Sequence, residues 1–534
     1  MKRNNIYHIL VTIAFVCLCT VSSAQSLRSG YFLEGYTYRH LMNPAFSPER
    51  NYIAVPGIGN INVGAQSNVG LNTFIYPYGN DKLTTFMNSS ISNDDFLGKL
   101  KDNNRINVNL NMTLLSAGFR AWGGFNTIDV NMRSTTSLNL PRGLFEFMKL
   151  GMNSSNSVYE MDDLGISSNN YAEIALGHSR QINDKLNVGG KLKFLLGVGN
   201  VNIKMTDMKV QMAEDKWMVQ ANGEMNTSVK GLTIPTKEES GKEIKNPSER
   251  DLVDWDNIDL DSPGLSGFGM AVDLGATYKL REDLTLSAAI LDLGFISWSN
   301  TIKAKTSNTP WEFNGFQNIA MGSDDADGDK PLEDQLEDLG NDIENYASFH
   351  RTETGSSSTR ALGATLNIGA DYVFPLYDKL HFGFLSSTRI NGKYSWSEGR
   401  ISANVTPVKW FDAGVNYGIS SFGSSFGWIL NFHPCGFNFF VGMDHLMTKV
   451  TPQYIPVGKL NTNVSVGFNV TFGKKSDQVI KNKNRLNIQT IYVQSVLFYL
   501  PIFPLFLPAS PTFSAKIITF VNKPNYNTYV PFKI

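Results

Sequence analysis

The feature that most constrains this chain is a strict two-residue alternation sustained far longer than in ordinary strands. Ile106, Val108, Leu110, Met112 and Leu114 alternate with Asn107, Asn109, Asn111 and Thr113. Val188, Gly190, Leu192, Phe194 and Leu196 alternate with small residues and with Lys191 and Lys193. Met270, Val272, Leu274, Ala276, Tyr278 and Leu280 alternate with Asp273, Thr277 and Lys279, and Val464, Val466, Phe468, Val470 and Phe472 with Asn463, Ser465, Asn469 and Thr471. A period of two puts every apolar side chain on one sheet face and every polar one on the other. These tracts run about 9 to 14 residues, against ~5–6 for a common globular strand and ~9–11 for a tilted membrane strand.

Turn chemistry bounds the tracts: Asn183-Asp184-Lys185, Arg281-Glu282-Asp283, Tyr377-Asp378-Lys379 and Asn391-Gly392. Short polar turns of this kind join antiparallel neighbours. Trp298, Trp311, Tyr372, Trp396, Trp410 and Tyr417 fall near tract ends, where an interfacial aromatic girdle would sit. Between Tyr52 and Phe472 the count is about 14 tracts, within two either way, and single-chain bacterial barrels use even numbers. The expected fold is therefore all-β, a transmembrane antiparallel β-barrel of about 14 strands (12–16) with small helical insertions. A soluble secreted β protein also alternates. Tract length, export and polar faces rich in Asn, Gly and Ser weigh against it. Charged residues are only 18% and mean hydropathy is −0.17, too polar for a bundle of spanning helices but compatible with polar lumen residues alternating with lipid-facing ones.

Residues 1–24 read as a secretory signal peptide. Lys2 and Arg3 precede the apolar run Ile9 to Cys19, and Ser22-Ser23-Ala24 offers small residues for cleavage between Ala24 and Gln25. Export through this signal, taken with the expected barrel, implies the cell outer membrane as destination. Of three cysteines the signal holds two, so Cys435 is left without an intramolecular partner. Residues 25–51 precede the first clear strand and could plug the lumen; their Tyr31, Phe32, Tyr36 and Tyr38 suit an apolar or amphipathic ligand. Insertions into the barrel (52–472) fall near 83–101, 231–262 and 321–360. In the first, Asn93-Asp94-Asp95 stands as an N-cap before Phe96 and Leu97; in the last, Leu332, Leu336, Leu339, Ile343 and Tyr346 form a helical stripe. Phe472 is the aromatic end expected of a barrel-closing strand. Residues 473–534 change character, with Pro501 and Pro504 inside an apolar run, and are expected to be an atypical tail outside the barrel. They could even reflect a lost stop codon, in which case the mature chain's mass would end near Asp477.

Motifs of chemistry are weak. Gly423-Ser424-Ser425-Phe426-Gly427 matches G-x-S-x-G but lies between alternating tracts, whereas a nucleophile elbow needs strand, turn and helix. His433, Cys435 and His445 do not have zinc-ligand spacing. Asp324, Asp325, Asp327 and Asp329 lack the Gly and Glu of a calcium loop. No enzyme activity, catalytic residue, metal or cofactor is expected. The charge balance of 47 basic to 48 acidic residues gives no footprint for nucleic acid.

Several segments carry a resemblance: Tyr31-Phe32-Leu33-Glu34-Gly35-Tyr36, Leu41-Met42-Asn43-Pro44-Ala45-Phe46, Val55-Pro56-Gly57-Ile58-Gly59-Asn60-Ile61, Phe96-Leu97-Gly98-Lys99-Leu100 and Tyr171-Ala172-Glu173-Ile174-Ala175-Leu176-Gly177. Over roughly residues 26–475 the chain resembles an uncharacterised outer-membrane family of Bacteroidota, known only as a domain of unknown function. Its Asn43-Pro44-Ala45 element is similar to one in barrels of the PorP/SprF type and in FadL-like transporters of hydrophobic compounds. The resemblance marks Asn43, Pro44, Ala45, Pro56, Gly57 and Gly59 as family-motif residues and implies fold and location, with no mechanism. Two functions are weighed: passage of a small apolar or amphipathic compound across the outer membrane, or a non-enzymatic scaffold for an envelope assembly such as type IX secretion or gliding. The partners implied are outer-membrane lipid and either that ligand or other envelope proteins.

Overall fold

The alternating tracts pair in chain order into one sheet that closes on itself. The computed structural model describes residues 26–78, 82–214, 216–307, 310–313, 319–320, 330–331, 348–446 and 459–473. Fourteen antiparallel strands make the wall. They are β1 (Asn51–Ala54 and Asn60–Gly70, one strand broken by an excursion), β2 (Asn103–Ala121), β3 (Gly124–Pro141), β4 (Gly165–Gln181), β5 (Leu186–Ala213), β6 (Gly267–Arg281) and β7 (Leu284–Lys305). The second half is β8 (Ala364–Val373), β9 (Leu380–Ile390), β10 (Trp396–Val408), β11 (Phe411–Ser420), β12 (Gly423–Phe432), β13 (Phe437–Met443) and β14 (Lys459–Phe472). Each pairs with the next, and β14 pairs back onto β1 with Asn51 opposite Phe472 and Ile61 opposite Val466. Closure leaves no unpaired edge, which is what lets strands stand in lipid.

The barrel is inverted relative to a water-soluble protein. On β6 the residues Phe268, Met270, Val272, Leu274, Tyr278 and Leu280 are exposed while Ala271 and Asp273 are buried. On β5 Leu192 is exposed between Lys191 and Lys193, which are almost fully buried. The ten-residue step from Phe268 to Tyr278 is ~33 Å along a strand and ~25 Å of height at a tilt near 40°, the depth of a membrane barrel's apolar band. Alternation is not perfect. A register shift between Thr113 and Leu115 places Leu114 at a bulge, so Leu115 points outward and Ser116 inward.

Turns at the end that carries Asn51 and Phe472 are short. Trp122 and Gly123 both have positive φ (54° and 75°), as a two-residue hairpin with the twist of its strands requires. Trp122, Tyr278, Tyr377, Trp410 and Phe472 are exposed near this end. The expected girdle holds for Trp410 and Tyr417 but not for Trp298 and Trp396, which are buried in the interior at 1% and 5% exposure. Parity, not proximity to a strand end, decides which face an aromatic residue takes.

The opposite end carries the long excursions. A hairpin of Ile75–Tyr78 with Lys82–Thr85 corrects the helical reading of the start of 83–101; the helix there is only α1 (Asn93–Leu97). Its cap is Ser92, whose side chain accepts from the Asp95 N–H at 3.1 Å, so Asn93, Asp94 and Asp95 are its first turn rather than its cap. A second helix, α2 (Arg142–Leu150), was not expected; it packs Phe145 on Phe96 and Phe86. The polar stretch 231–262 is more than surface loop, burying Ile234 and Val253 against Ile302 and Phe349. β5 runs 28 residues, well past its predicted end, to pair with a strand at Trp217–Val229 beyond the wall. The expected signal segment with Ala24 and Gln25, the expected helical stripe from Leu332 to Tyr346, the aspartates at 324–329 and the tail after Gly473 lie outside the described residues.

Candidate functional site

Most wall residues at inward parity are polar, yet they are buried, because the lumen is filled. Residues 26–46 run down its inside as irregular backbone with two 3-10 turns, Arg28–Gly30 and Thr37–Leu41. Such backbone is tolerated at membrane depth only where protein surrounds it. At the top, the Arg28 and Ser29 N–H groups donate to the Asp444 carboxylate (2.9 and 2.6 Å). The Arg28 guanidinium pairs with Glu398 at 2.9 Å and lies 4.6 Å over the Trp396 ring. Arg400 bridges Glu398 and the Asp444 carbonyl. Below, Leu27, Tyr31, Phe32, Leu33, Tyr36, Tyr38 and Met42 form an apolar cluster with Leu385, Ile429 and Phe440 of the wall.

The Asn43-Pro44-Ala45 element docks this segment on the wall. Asn43 donates to the carbonyls of Ala276 and Ala288 (3.3 Å each) and accepts from the Ala45 N–H at 2.9 Å. Asn367 donates to the Met42 carbonyl at 2.9 Å, and Asn187 to that of Ala45. Wall glycines make the room. A Cβ on Gly189 would stand 2.0 Å from the Pro44 oxygen, one on Gly275 2.1 Å from Asn43 Oδ1, and one on Gly383 2.3 Å from the Phe32 ring. Gly189→Val is therefore expected to expel the Asn-Pro-Ala element while the strands stay paired. Proteolysis near residue 43 should rise sharply with the folded gel mobility kept; unchanged protection would refute the fit.

Pro56, Gly57 and Gly59 are elsewhere, in the excursion 55–59 that breaks β1. Pro56 is exposed, Gly57 takes φ +76°, and a Cβ on Gly59 would meet Tyr38 Oη at 3.0 Å. Phe472 ends β14 on the outer face at 40% exposure. The structure thus brings 43–45 and 59 to the segment and leaves 56 and 472 outside.

Beside the apolar cluster, where Tyr38 packs against His40 and Tyr52, a closed hydrogen-bond ring ties the segment to four strands. Lys191 Nζ donates to His40 Nδ1 (2.7 Å) and to Asp129 (2.8 Å). With Nδ1 accepting, His40 Nε2–H faces Tyr52 Oη at 2.8 Å, Tyr52 faces Ser116 at 2.9 Å, and Ser116 donates to Asp129 at 2.6 Å. Burial first, then the Lys191 ammonium, push the His40 imidazole down to about 3 from 6.5, against the Asp129 carboxylate. The released segment would take up a proton below 6.5 that the docked one refuses until about 3. Docking stability is therefore complete above 6.5 and lost at about 1.4 kcal/mol per pH unit as pH falls through that window. Hydrogen exchange of residues 27–46 should accelerate between pH 7 and 4 in native protein and much less in His40→Gln; pH-independent exchange would contradict the ring.

The third feature is a charge cluster on β3 to β7. Asp292 has φ +59° at a bulge in β7, and its N–H donates to Asp273 at 2.7 Å. The bulge turns its carboxylate onto Lys193 (2.6 Å) and Arg133 (3.4 Å), with Arg389 at 3.9 Å. Lys193 also reaches Asp273 (2.7 Å) and Glu173 (3.7 Å), and Arg133 binds Glu173 at 2.9 Å. Beside it lies a cavity of about 60 Å³ between Arg133, Lys193, Asp292 and Arg389 on the wall and Leu41 and Met42 on the segment.

Lys191, Lys193 and Asp273 were visible in the sequence as polar members of alternating tracts; Arg133, Glu173, Asp292, Glu398, Arg400 and Asp444 were missed. Their signal was inward parity, which requires the register of each strand. The other motifs disperse. His433 faces Asp412 at 3.0 Å, His445 faces Gln66 at 2.9 Å, and Cys435 is exposed in a turn. Among the described residues no group of three or more His, Cys, Asp or Glu is placed to hold a metal. Gly423–Gly427 opens β12, a wall strand paired with β11.

A family model described as a family of unknown function (DUF5723) matches residues 44–444. No curated protein matches the chain. Similar solved structures include the toluene transporter TbuX of Ralstonia pickettii (9% identity, 82% of this chain and 95% of that one, TM-score 0.38). The toluene transporter TodX of P. putida (9%, 80% and 92%, 0.35) and a FadL homologue of Pseudomonas aeruginosa (10%, 80% and 92%, 0.31) are others.

Proposed function

The chain belongs to the family of unknown function (DUF5723), and we propose that it passes a small amphipathic compound across the outer membrane when its N-terminal segment yields the lumen. One observation carries this reading. What closes the lower lumen is residues 26–46, a separable stretch that joins no wall strand, and the wall is recessed with glycines to receive it. The cavity above it combines charged wall residues with Leu41, Met42, Leu291 and Leu385, which suits a compound with one polar and one apolar end. The apolar outer band supports a membrane location, and the short-turn end fits the periplasmic side.

A strain lacking the protein is expected to take up at least one small aromatic or amphipathic compound more slowly. Unchanged uptake of fatty acids, sterols and aromatics would end this reading. The location is tested separately. Cys435 lies exposed in a short turn. A membrane-impermeant maleimide should leave it unlabelled in intact cells and label it once the outer membrane is permeabilised; labelling of intact cells would reverse the orientation.

A second reading, an envelope scaffold, is supported by the packed clusters at the far end. Val69, Phe86, Phe96, Leu97, Leu100 and Phe145 form one, and Met225, Ile234, Val253, Ile302 and Phe349 belong to another. Long excursions with their own cores suit a partner-binding platform. Detergent pull-downs that return the barrel alone would count against it.

A further inference from the structure

We infer that the lumen cavity is a carboxylate-binding site, and that the compound it admits is a small monocarboxylate with a compact apolar body. This rests on the passage reading and names its substrate class. The charges around the cavity balance in sum but not on its surface. Among the described residues, Arg28, Arg133, Lys193 and Arg389 line it with one carboxylate, Asp292. The other acids that neutralise these cations, Glu173, Asp273 and Glu398, are 1% exposed and stand outside the lining. Arg133 and Arg389 keep the most side-chain surface there, 16% and 17% against 7% for Asp292 and 3% for Lys193, so a solute meets two guanidinium groups more readily than any anion.

Arg389 is the group poised to bind. Arg28 and Arg133 are each engaged with a carboxylate at 2.9 Å. Among the described residues Arg389 has Asp292 at 3.9 Å and one hydrogen bond, from Nη1 to Thr365 Oγ1 at 3.3 Å. A guanidinium carries five N–H donors in a fork that matches a carboxylate's two oxygens, so Arg389 keeps a bidentate edge for a ligand. Asn367 and Ser387 stand beside it on the lining as neutral hydrogen-bonding groups. The apolar end of the site is Leu41, Met42 and Leu385, continuous with the aromatic cluster of the N-terminal segment. A cationic fork beside apolar side chains fits a carboxylate carried on a small apolar body.

The test uses the purified full chain and two probes of one shape, benzoate and the neutral benzamide. Titration calorimetry should show benzoate binding at least tenfold tighter, with the preference falling as salt rises and vanishing in Arg389→Gln. Should that variant lose its folded gel mobility, the salt dependence on native protein decides by itself: a salt-sensitive benzoate affinity beside a salt-insensitive benzamide affinity upholds the site. Equal affinity for the two probes overturns it, as does benzoate binding untouched by Arg389→Gln in a folded protein. Flux into liposomes separates the two proposals. Benzoate that binds with the stated preference but does not cross leaves the site standing and removes passage. Probes that cross without charge preference leave passage standing and remove the site.

Discussion

Deletion of residues 27–46 is expected to turn a closed barrel into an open conductor, with single-channel conductance in planar bilayers rising on the order of tenfold over the full chain. A barrel of about 8 strands is filled by its own side chains, whereas 16–18 strands leave an aqueous channel. Fourteen strands lie toward the wider end of that range, and here the wall presents Gly189, Gly275, Gly369 and Gly383 where side chains could have filled space. The filling comes instead from Tyr31, Phe32, Tyr36 and Tyr38, each 6% exposed or less. Burial of such side chains contributes roughly 1.5–3 kcal/mol each, so the segment stays docked without a trigger. The wall does not need it to close, since Asn51 pairs with Phe472 downstream of the deletion. Removing the segment also uncovers Glu398, Asp444 and Asp412, which water can then solvate. The deletion variant should keep its heat-modifiable gel mobility. A folded variant with the native conductance would show that the wall itself seals the lumen, and would move the balance to the scaffold.

How much of this was legible in the sequence follows from the range of each interaction. The strands were legible because alternation is local: Met270 to Leu280 reads the same in the sequence and on the outer face of β6. The bulges at Leu114 and Asp292 were not, because a bulge is defined against a partner strand that periodicity in one strand does not reveal. The length of β5 escaped for a related reason: from Asn200 on it pairs with a strand beyond the wall, so its outer half no longer has one lipid face and one lumen face. α2 was hidden because its core partners Phe86 and Phe96 lie across a loop. The Asn43-Pro44-Ala45 element could be marked as a motif but not understood. Its meaning lies in carbonyls of β6 and β7, more than 230 residues away. The charged lumen was the least legible part, because a Lys or Asp at inward parity looks the same whether it meets water or a partner.

That last distinction sets the second large effect. Lys193→Met should destabilise the barrel by about 3–5 kcal/mol, the usual cost of stranding buried charge. Lys193 is 2% exposed, and its ammonium reaches Asp273, Asp292 and Glu173 together, at 2.7, 2.6 and 3.7 Å. Without it, Arg133 and Arg389 face three carboxylates with one negative charge uncompensated in a site that water scarcely reaches. Methionine matches the lysine stem in length, so lost packing is a small part of the change. The double variant Lys193→Met with Asp273→Asn removes that surplus charge. It also keeps an oxygen to accept the Asp292 N–H, which Asp273 now binds at 2.7 Å. It should recover more than half of the lost stability, measured as the urea midpoint of the heat-modifiable band. If the two substitutions instead add, each costing what it costs alone, the cluster is held by packing and hydrogen bonds, and the paired charges are not what stabilises this side of the lumen.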